Sequence, residues 1–242
     1  HSIVAVGHGL SADSRHTFSP GGNFPSDQLG CTSCHDPHGN GYFRMLNGLG
    51  DVQNGVAAFT RPAPLAYGIN VSSGVESKTS HTAYVSGVSS WCANCHGANY
   101  HQHGGGSGGA FSHPAERALG SKISLQYNQY NGDAFPTGGT PATAYLPEVP
   151  FIDSNMTTAT TTGPSPSSRI MCLSCHRAHG TSAPHALRWD PNIQKLSEDG
   201  VISTSFPIPN PYSDPDQGTL CTKCHLGGPP SGSDLTTPTQ IP

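Results

Sequence analysis

The chain has 242 residues, a formal net charge of −4, and charged residues at only 11% of its positions. With a sequence pI near 6.4, this charge balance gives no support for nucleic-acid binding, and no run of 18 apolar residues predicts a membrane-spanning helix. The 30 glycines and 22 prolines leave little apolar side chain to bury, which argues against an ordinary packed globular domain. We therefore expect a single unit over residues 1–242, mostly coil with few short helices and minimal strand.

Residues 1–30 carry three histidines, His1, His8 and His16, in a segment whose glycines and prolines favour coil. The opening at His1, without a signal-peptide pattern, is what we expect of a processed mature chain. We expect His1 to be solvated. The roles of His8 and His16 depend on the motif that follows them.

All eight cysteines belong to four copies of one pattern, C-x-x-C-H. This pattern is the attachment signature of a c-type haem: both thiols form thioethers with the porphyrin, and the next histidine ligates the iron. Zinc sites, redox dithiols and disulfides also use C-x-x-C pairs, but none of them requires a histidine after every pair. The sequence therefore predicts four covalent haems, which take the place of a packed interior. Their attachment residues are Cys31, Cys34, Cys92, Cys95, Cys172, Cys175, Cys221 and Cys224, with proximal ligands His35, His96, His176 and His225.

The first signature continues as His35-Asp36-Pro37-His38-Gly39, and the third repeats the same H-x-x-H-G ending with His179. On a helical turn, His35 and His38 would share a face. Two residues so close in sequence cannot easily ligate opposite sides of one iron. We therefore predict that His38 and His179 each ligate a neighbouring haem, which would hold two porphyrins at close range.

Further distal ligands are sought among the remaining histidines. A mobile arm before the first signature can reach a haem of its own chain or of a neighbouring copy, so we predict His16 as a ligand and keep His8 in reserve. Ser112 and Pro114 indicate a helix start that would hold His113 rigidly as a third candidate, with His101 in reserve. His81 is a lesser alternative. The haem-binding segments are thus 31–38, 92–113, 172–179 and 221–225.

The ligand arithmetic favours histidine on both faces of every iron. Four proximal histidines leave ten others, whereas the chain has three methionines, of which Met171 adjoins Cys172 and is poorly placed to reach across a haem. His/His ligation predicts low potentials and no open coordination site for a substrate. This argues for electron transfer and against an enzyme.

The fourth signature has no histidine on its C-terminal side, so its distal ligand comes from earlier in the chain or from another molecule. If a histidine of the arm, or His38, ligates a haem of the adjacent copy, the copies join head to tail and form an open filament.

Three pieces, C-T-S-C-H-D-P-H-G at 31–39, W-C-A-N-C-H-G at 91–97 and M-C-L-S-C-H-R-A-H-G at 171–180, are followed by a fourth C-x-x-C-H. In this order they resemble the OmcE-type outer-surface tetrahaem cytochromes over roughly residues 1–225. The resemblance implies a chain wrapped around a continuous row of stacked haems, all ligated by two histidines. It also implies extracellular filaments in which one haem takes its distal histidine from the adjacent subunit.

Three functions compete at this point. The first is a polymerising cytochrome that conducts electrons to extracellular acceptors, and the second is a monomeric periplasmic shuttle with the same haems. The third is a multihaem reductase of a small oxyanion, which needs one five-coordinate haem. Haem attachment to C-x-x-C-H normally occurs outside the cytoplasmic membrane, so all three predict an exported protein.

Overall fold

The regular elements of this chain are short, and coil connects them. The computed structural model describes residues 1–53, 57–68, 76–97, 115–132, 138–179, 181, 183, 186–188, 211–212 and 218–225. Its α-helices are Val88–His96, Gly120–Gln129, Cys172–Cys175 and Gly218–Thr222, and its 3-10 helices are Val6–His8, Ser26–Gln28, Cys31–Ser33, Phe43–Met45 and Pro141–Thr143. A coil-rich chain with short helices at the cysteine signatures is thereby confirmed. Within the described ranges, no helix has the length and apolar character needed to cross a bilayer.

Two antiparallel strand pairs make up the sheet content of the described chain. Val52–Gln53 pairs with Ala57–Ala58, and Leu65–Tyr67 pairs with Ala83–Ser86. The second pair leads through Gly87, at φ 79°, directly into the helix that carries the second signature. This strand pair therefore fixes where that signature begins.

Two clusters of buried side chains form a core that the sequence analysis did not anticipate. The larger contains Ala83, Tyr127, Ala144, Tyr145, Leu146, Val149, Phe151, Met156 and Leu220. The smaller contains Ala66, Tyr84, Val88, Ile152 and Met171. The expectation that haems alone replace a packed interior is therefore corrected. Few apolar residues suffice because several are large aromatics concentrated in one region.

The predicted helix start around Ser112 stays a prediction. Residues 112–114 lie outside the described residues, but 115–119 form a turn and a bridge, and the helix begins at Gly120. Glu116 has φ 63°, and its carboxylate accepts hydrogen bonds from the backbone N–H and the hydroxyl of Ser90, at 2.9 and 3.0 Å. Glu116 thus satisfies a free N–H in the first turn of the helix that carries the second signature.

Candidate haem-binding site

The four signatures lie next to one another in the same order as in the chain. Cys34 lies within electrostatic range of Cys95, the thiols of Cys92 and Cys172 are hydrogen-bonded, and Cys175 lies within electrostatic range of Cys224. Each signature therefore adjoins the next. Cofactors attached at these cysteines would form one row.

Most of the thiols are half-buried. Burial raises the pKa of Cys34 to about 11 and the pKa values of Cys175 and Cys224 to about 12. Cys172 is the exception, because the hydrogen bond from Cys92 lowers its pKa to about 7. Among the described residues, no group of three or more His, Cys, Asp or Glu side chains is arranged to hold a metal ion.

The first and third signatures share one local structure. In each, the serine between the cysteines is 1% exposed. Ser33 accepts from Gly30 N–H and donates to Gln28 C=O, while Ser174 accepts from Met171 N–H and donates to Pro150 C=O. In each, the proximal histidine bridges a leucine eleven residues later, His35 to Leu46 and His176 to Leu187. The segments 31–47 and 172–188 are thus two copies of one unit, which the sequence analysis detected only as a repeated H-x-x-H-G.

The backbone at this repeat is extended, which corrects one premise of the sequence analysis. His35 and His176 both take part in β-bridges, and His176 has φ −102° and ψ 158°. A histidine three residues later therefore does not share a helical face with the proximal one.

The second signature is fixed by the arm that precedes the first. Ser19 donates a hydrogen bond to Cys95 C=O, and His96 Nδ1 lies 3.0 Å from Pro20 O. The approach is so close that a Cβ at Gly97, which has φ 75°, would lie 2.5 Å from Gly21 O. Residues 19–22 and the end of the Val88–His96 helix thus hold one position relative to each other.

The fourth signature is fixed by the helix Gly120–Gln129 and the residues just after it. Gln126 donates to Thr222 C=O at 2.8 Å, and Lys223 Nζ donates to Tyr127 and Tyr130 C=O at 2.8 and 2.9 Å. Burial lowers the pKa of Lys223 to about 7. The helix Gly120–Gln129 and Tyr130, which carry no cysteine signature, therefore support this site.

His179 lies beside the proximal histidine of the first signature. Its ring centroid is 6.1 Å from that of His35, and the ring planes are tilted by 43°. His35 Nδ1 lies 2.8 Å from Arg44 O, which leaves Nε2 as the available nitrogen. Burial, followed by the nearby His35, lowers the pKa of His179 and favours the neutral, ligating imidazole.

A second pair joins His1 to the proximal histidine of the second signature. The ring centroids of His1 and His96 are 5.8 Å apart, and the planes are tilted by 58°. His1 Nδ1 lies 2.6 Å from Ala178 O. Burial lowers the pKa of His96 as well. His1 was expected to be solvated, so this pair was missed.

The centroid separations of the two histidine pairs, 6.1 Å for His35 and His179 and 5.8 Å for His1 and His96, fit a metal ion between the rings. With a metal–nitrogen bond of about 2 Å and roughly 1.1 Å from nitrogen to ring centroid, two imidazoles on opposite sides of one ion have centroids about 6.2 Å apart. Rotation about the N–metal–N axis leaves the angle between the ring planes free. Paired thiols, a following histidine and a second imidazole at this distance are the donor set of a six-coordinate c-type haem.

The other predicted ligands are not brought to a second histidine in the described chain. His38 is 92% exposed at its side chain, and its Nδ1 lies 3.2 Å from Asp36 Oδ1. His16 is 60% exposed, with Nδ1 3.3 Å from Asp13 Oδ2. His8 is exposed at the end of the Val6–His8 turn. His113 and His101 lie outside the described residues, and all five remain predictions.

His81 is a structural residue. It is fully buried and stacks on Tyr145 with ring centroids 3.7 Å apart. Thr160 N–H donates to its Nε2 at 3.0 Å, and its Nδ1 lies 2.9 Å from Thr82 O. Both ring nitrogens are therefore occupied by the backbone, which removes His81 from the candidate ligands.

Comparison with known proteins connects this site to one kind of cytochrome. No family model matches the chain. It is similar to the C-type cytochrome OmcS of Geobacter sulfurreducens, with 28% identity over 304 aligned residues that cover 93% of this chain and 68% of the relative.

Solved structures give the same picture. An Outer Membrane Cytochrome S filament from Geobacter sulfurreducens matches with a TM-score of 0.68 and 28% identity, over 81% of this chain and 60% of that chain. OmcS nanowires from the same organism, determined by cryo-electron microscopy, match with a TM-score of 0.76 and 25% identity, over 93% of this chain and 72% of that chain. This chain thus shares their fold and spans 60% to 72% of their length.

Proposed function

We propose that this chain is the repeating unit of an extracellular filament that conducts electrons along a continuous row of covalently attached c-type haems. The observation that carries the proposal is that each cysteine signature lies close to the next, from the first to the fourth. Similarity to OmcS over 93% of this chain, and to filaments of that cytochrome, supports assembly and export. We further propose that it is an OmcE-type tetrahaem cytochrome, which the four signatures and their flanks support.

The residues of the chain act by attachment and axial ligation. The eight cysteines form thioethers, and His35, His96, His176 and His225 are proximal ligands. His179 is the distal ligand opposite His35. Each bound haem supplies a one-electron redox couple. Two imidazoles leave no coordination position for a substrate, so the chain is an electron carrier and not an enzyme.

Two of the methionines belong to the side-chain core and not to the haem sites. Met156 and Met171 are both buried in the side-chain clusters, where Met171 packs with Tyr84 and Ile152. Because methionine ligation raises the potential of a haem, histidine on both faces of each iron predicts low potentials throughout the row.

His38 is proposed as the ligand that crosses between copies. The matching residue of the third motif, His179, lies beside a histidine of the signature two places earlier in the row. By the same offset along a row of repeating copies, we take His176 of the adjacent copy as the equivalent partner of His38. The exposed ring of His38, with Nδ1 held towards Asp36, leaves Nε2 facing outwards for this contact. Such a head-to-tail contact does not close and produces a filament.

Expression of the full chain in a host that matures c-type cytochromes tests the proposal. Intact mass should show four haem adducts, the reduced spectrum should be low-spin, and negative-stain images of the secreted fraction should show filaments. His38→Ala should keep the four adducts and abolish the filaments. Fewer than four adducts, or discrete particles at every concentration of the wild-type protein, would overturn the proposal, the latter in favour of a monomeric shuttle.

A further inference from the structure

His1 lies where the haem at the second signature needs its distal ligand. The 5.8 Å between the ring centroids of His1 and His96 is within half an ångström of the spacing of about 6.2 Å derived above for two imidazoles on one ion. His96 is the proximal histidine of Cys92 and Cys95. The two rings therefore have the separation expected of two imidazoles on one bound iron.

Both rings are oriented through Nδ1. His1 Nδ1 lies 2.6 Å from Ala178 O, and His96 Nδ1 lies 3.0 Å from Pro20 O. A carbonyl oxygen only accepts, so Nδ1 carries the proton in each ring and the lone pair that can ligate a metal is on Nε2. A ligating histidine characteristically has its other nitrogen held in this way, which fixes both the tautomer and the orientation of the ring.

The segment that carries His1 is also held in place. Val4 N–H donates to Leu29 C=O at 2.7 Å, which ties the first residues to those just before the first signature. Ala178, which holds His1, lies in the same H-x-x-H-G motif as His179. One loop of the third signature therefore presents a ligand to the first haem and orients a ligand for the second.

We propose that His1 is the distal axial ligand of the haem attached to Cys92 and Cys95, opposite His96. The assignment rests on the haem binding proposed above and adds a residue that no motif or spacing in the sequence marks. It also completes the second site within one copy of the chain.

The test uses haem-loaded filaments of the full chain carrying His1→Ala. One haem in four should become high-spin by electron paramagnetic resonance, and the reduced protein should bind one carbon monoxide per chain where the wild-type protein binds none. Added imidazole should restore the low-spin signal. His1→Met restores a ligating atom, so it should stay low-spin and raise the potential of one haem. Ser2→Ala, an exposed neighbour, should match the wild-type protein.

Low-spin ligation of all four haems and no carbon monoxide binding in His1→Ala would overturn the assignment. If His1→Ala loses a haem or does not assemble, His1→Met decides, and four unchanged potentials in that variant would also overturn it. Neither result affects the proposed function, which fails separately if the wild-type protein carries fewer than four haem adducts by mass.

Discussion

The pairing of His179 with His35 predicts that a change in the third motif alters the haem of the first signature. His179→Ala removes the imidazole whose ring centroid lies 6.1 Å from that of His35 and leaves no ligating atom in its place. One of four haems should then be five-coordinate. About a quarter of the low-spin absorbance should be lost, and one carbon monoxide should bind per chain. The remaining three haems keep both imidazoles.

The affected haem can be identified by removing its attachment site. In a Cys31→Ala, Cys34→Ala background the first haem is absent, so adding His179→Ala should produce no further high-spin signal. Electron paramagnetic resonance with spin quantitation of the two backgrounds measures this. Arg177→Ala, a change in the same loop that removes no imidazole, serves as the control. A quarter-sized high-spin signal that persists without the first haem would refute cross-signature ligation, because His179 would then ligate another haem.

Three further substitutions test the residues that support the site. For each, guanidinium denaturation of the haem-loaded protein measures the free energy of unfolding. Ser174→Ala leaves Met171 N–H and Pro150 C=O unpaired in a buried position and should lower the free energy of unfolding by about 1–3 kcal/mol. His81→Leu loses its backbone hydrogen bonds and the ring stack and should cost about 2–4 kcal/mol, with the haem spectrum unchanged; a high-spin signal would contradict its structural role. Burial raises the pKa of Glu148, whose Oε2 has no hydrogen-bond partner among the described residues, so folding opposes its ionisation at neutral pH. Glu148→Gln should therefore be more stable than the wild-type protein at pH 7, and this advantage should shrink as the pH falls through the raised pKa towards 4.5, where the wild-type carboxyl is protonated as well; a pH-independent difference would contradict this account.

The attachment chemistry could be predicted from sequence because it is local. Two thiols and a histidine within five residues define a haem site whatever the fold around them, and the repeated H-x-x-H-G directed attention to His179. The coil-rich architecture followed from composition in the same way. What composition could not show is the core, because contacts such as that of Tyr127 with Phe151 form only in the folded chain.

Long-range pairings were the part that sequence could not supply. His1 contacts the carbonyl of Ala178 and His96 contacts that of Pro20, and no spacing rule connects those four positions. His81 failed as a candidate ligand for the matching reason: the backbone groups that occupy its ring include Thr160, seventy-nine residues away. A histidine's chemistry is set by what its two nitrogens contact, and those contacts exist only in the folded chain.

The duplicated unit at 31–47 and 172–188 has a consequence for growth. A neighbour that docks through His38 onto His176 would reproduce, between two molecules, a junction already present inside each of them. Each end of the filament would then offer one half of this His38–His176 junction. Growth would therefore need no separate initiation site. A circularly permuted chain that begins just before the third signature should therefore form the same filament. The boundaries between its copies would be displaced by two haems.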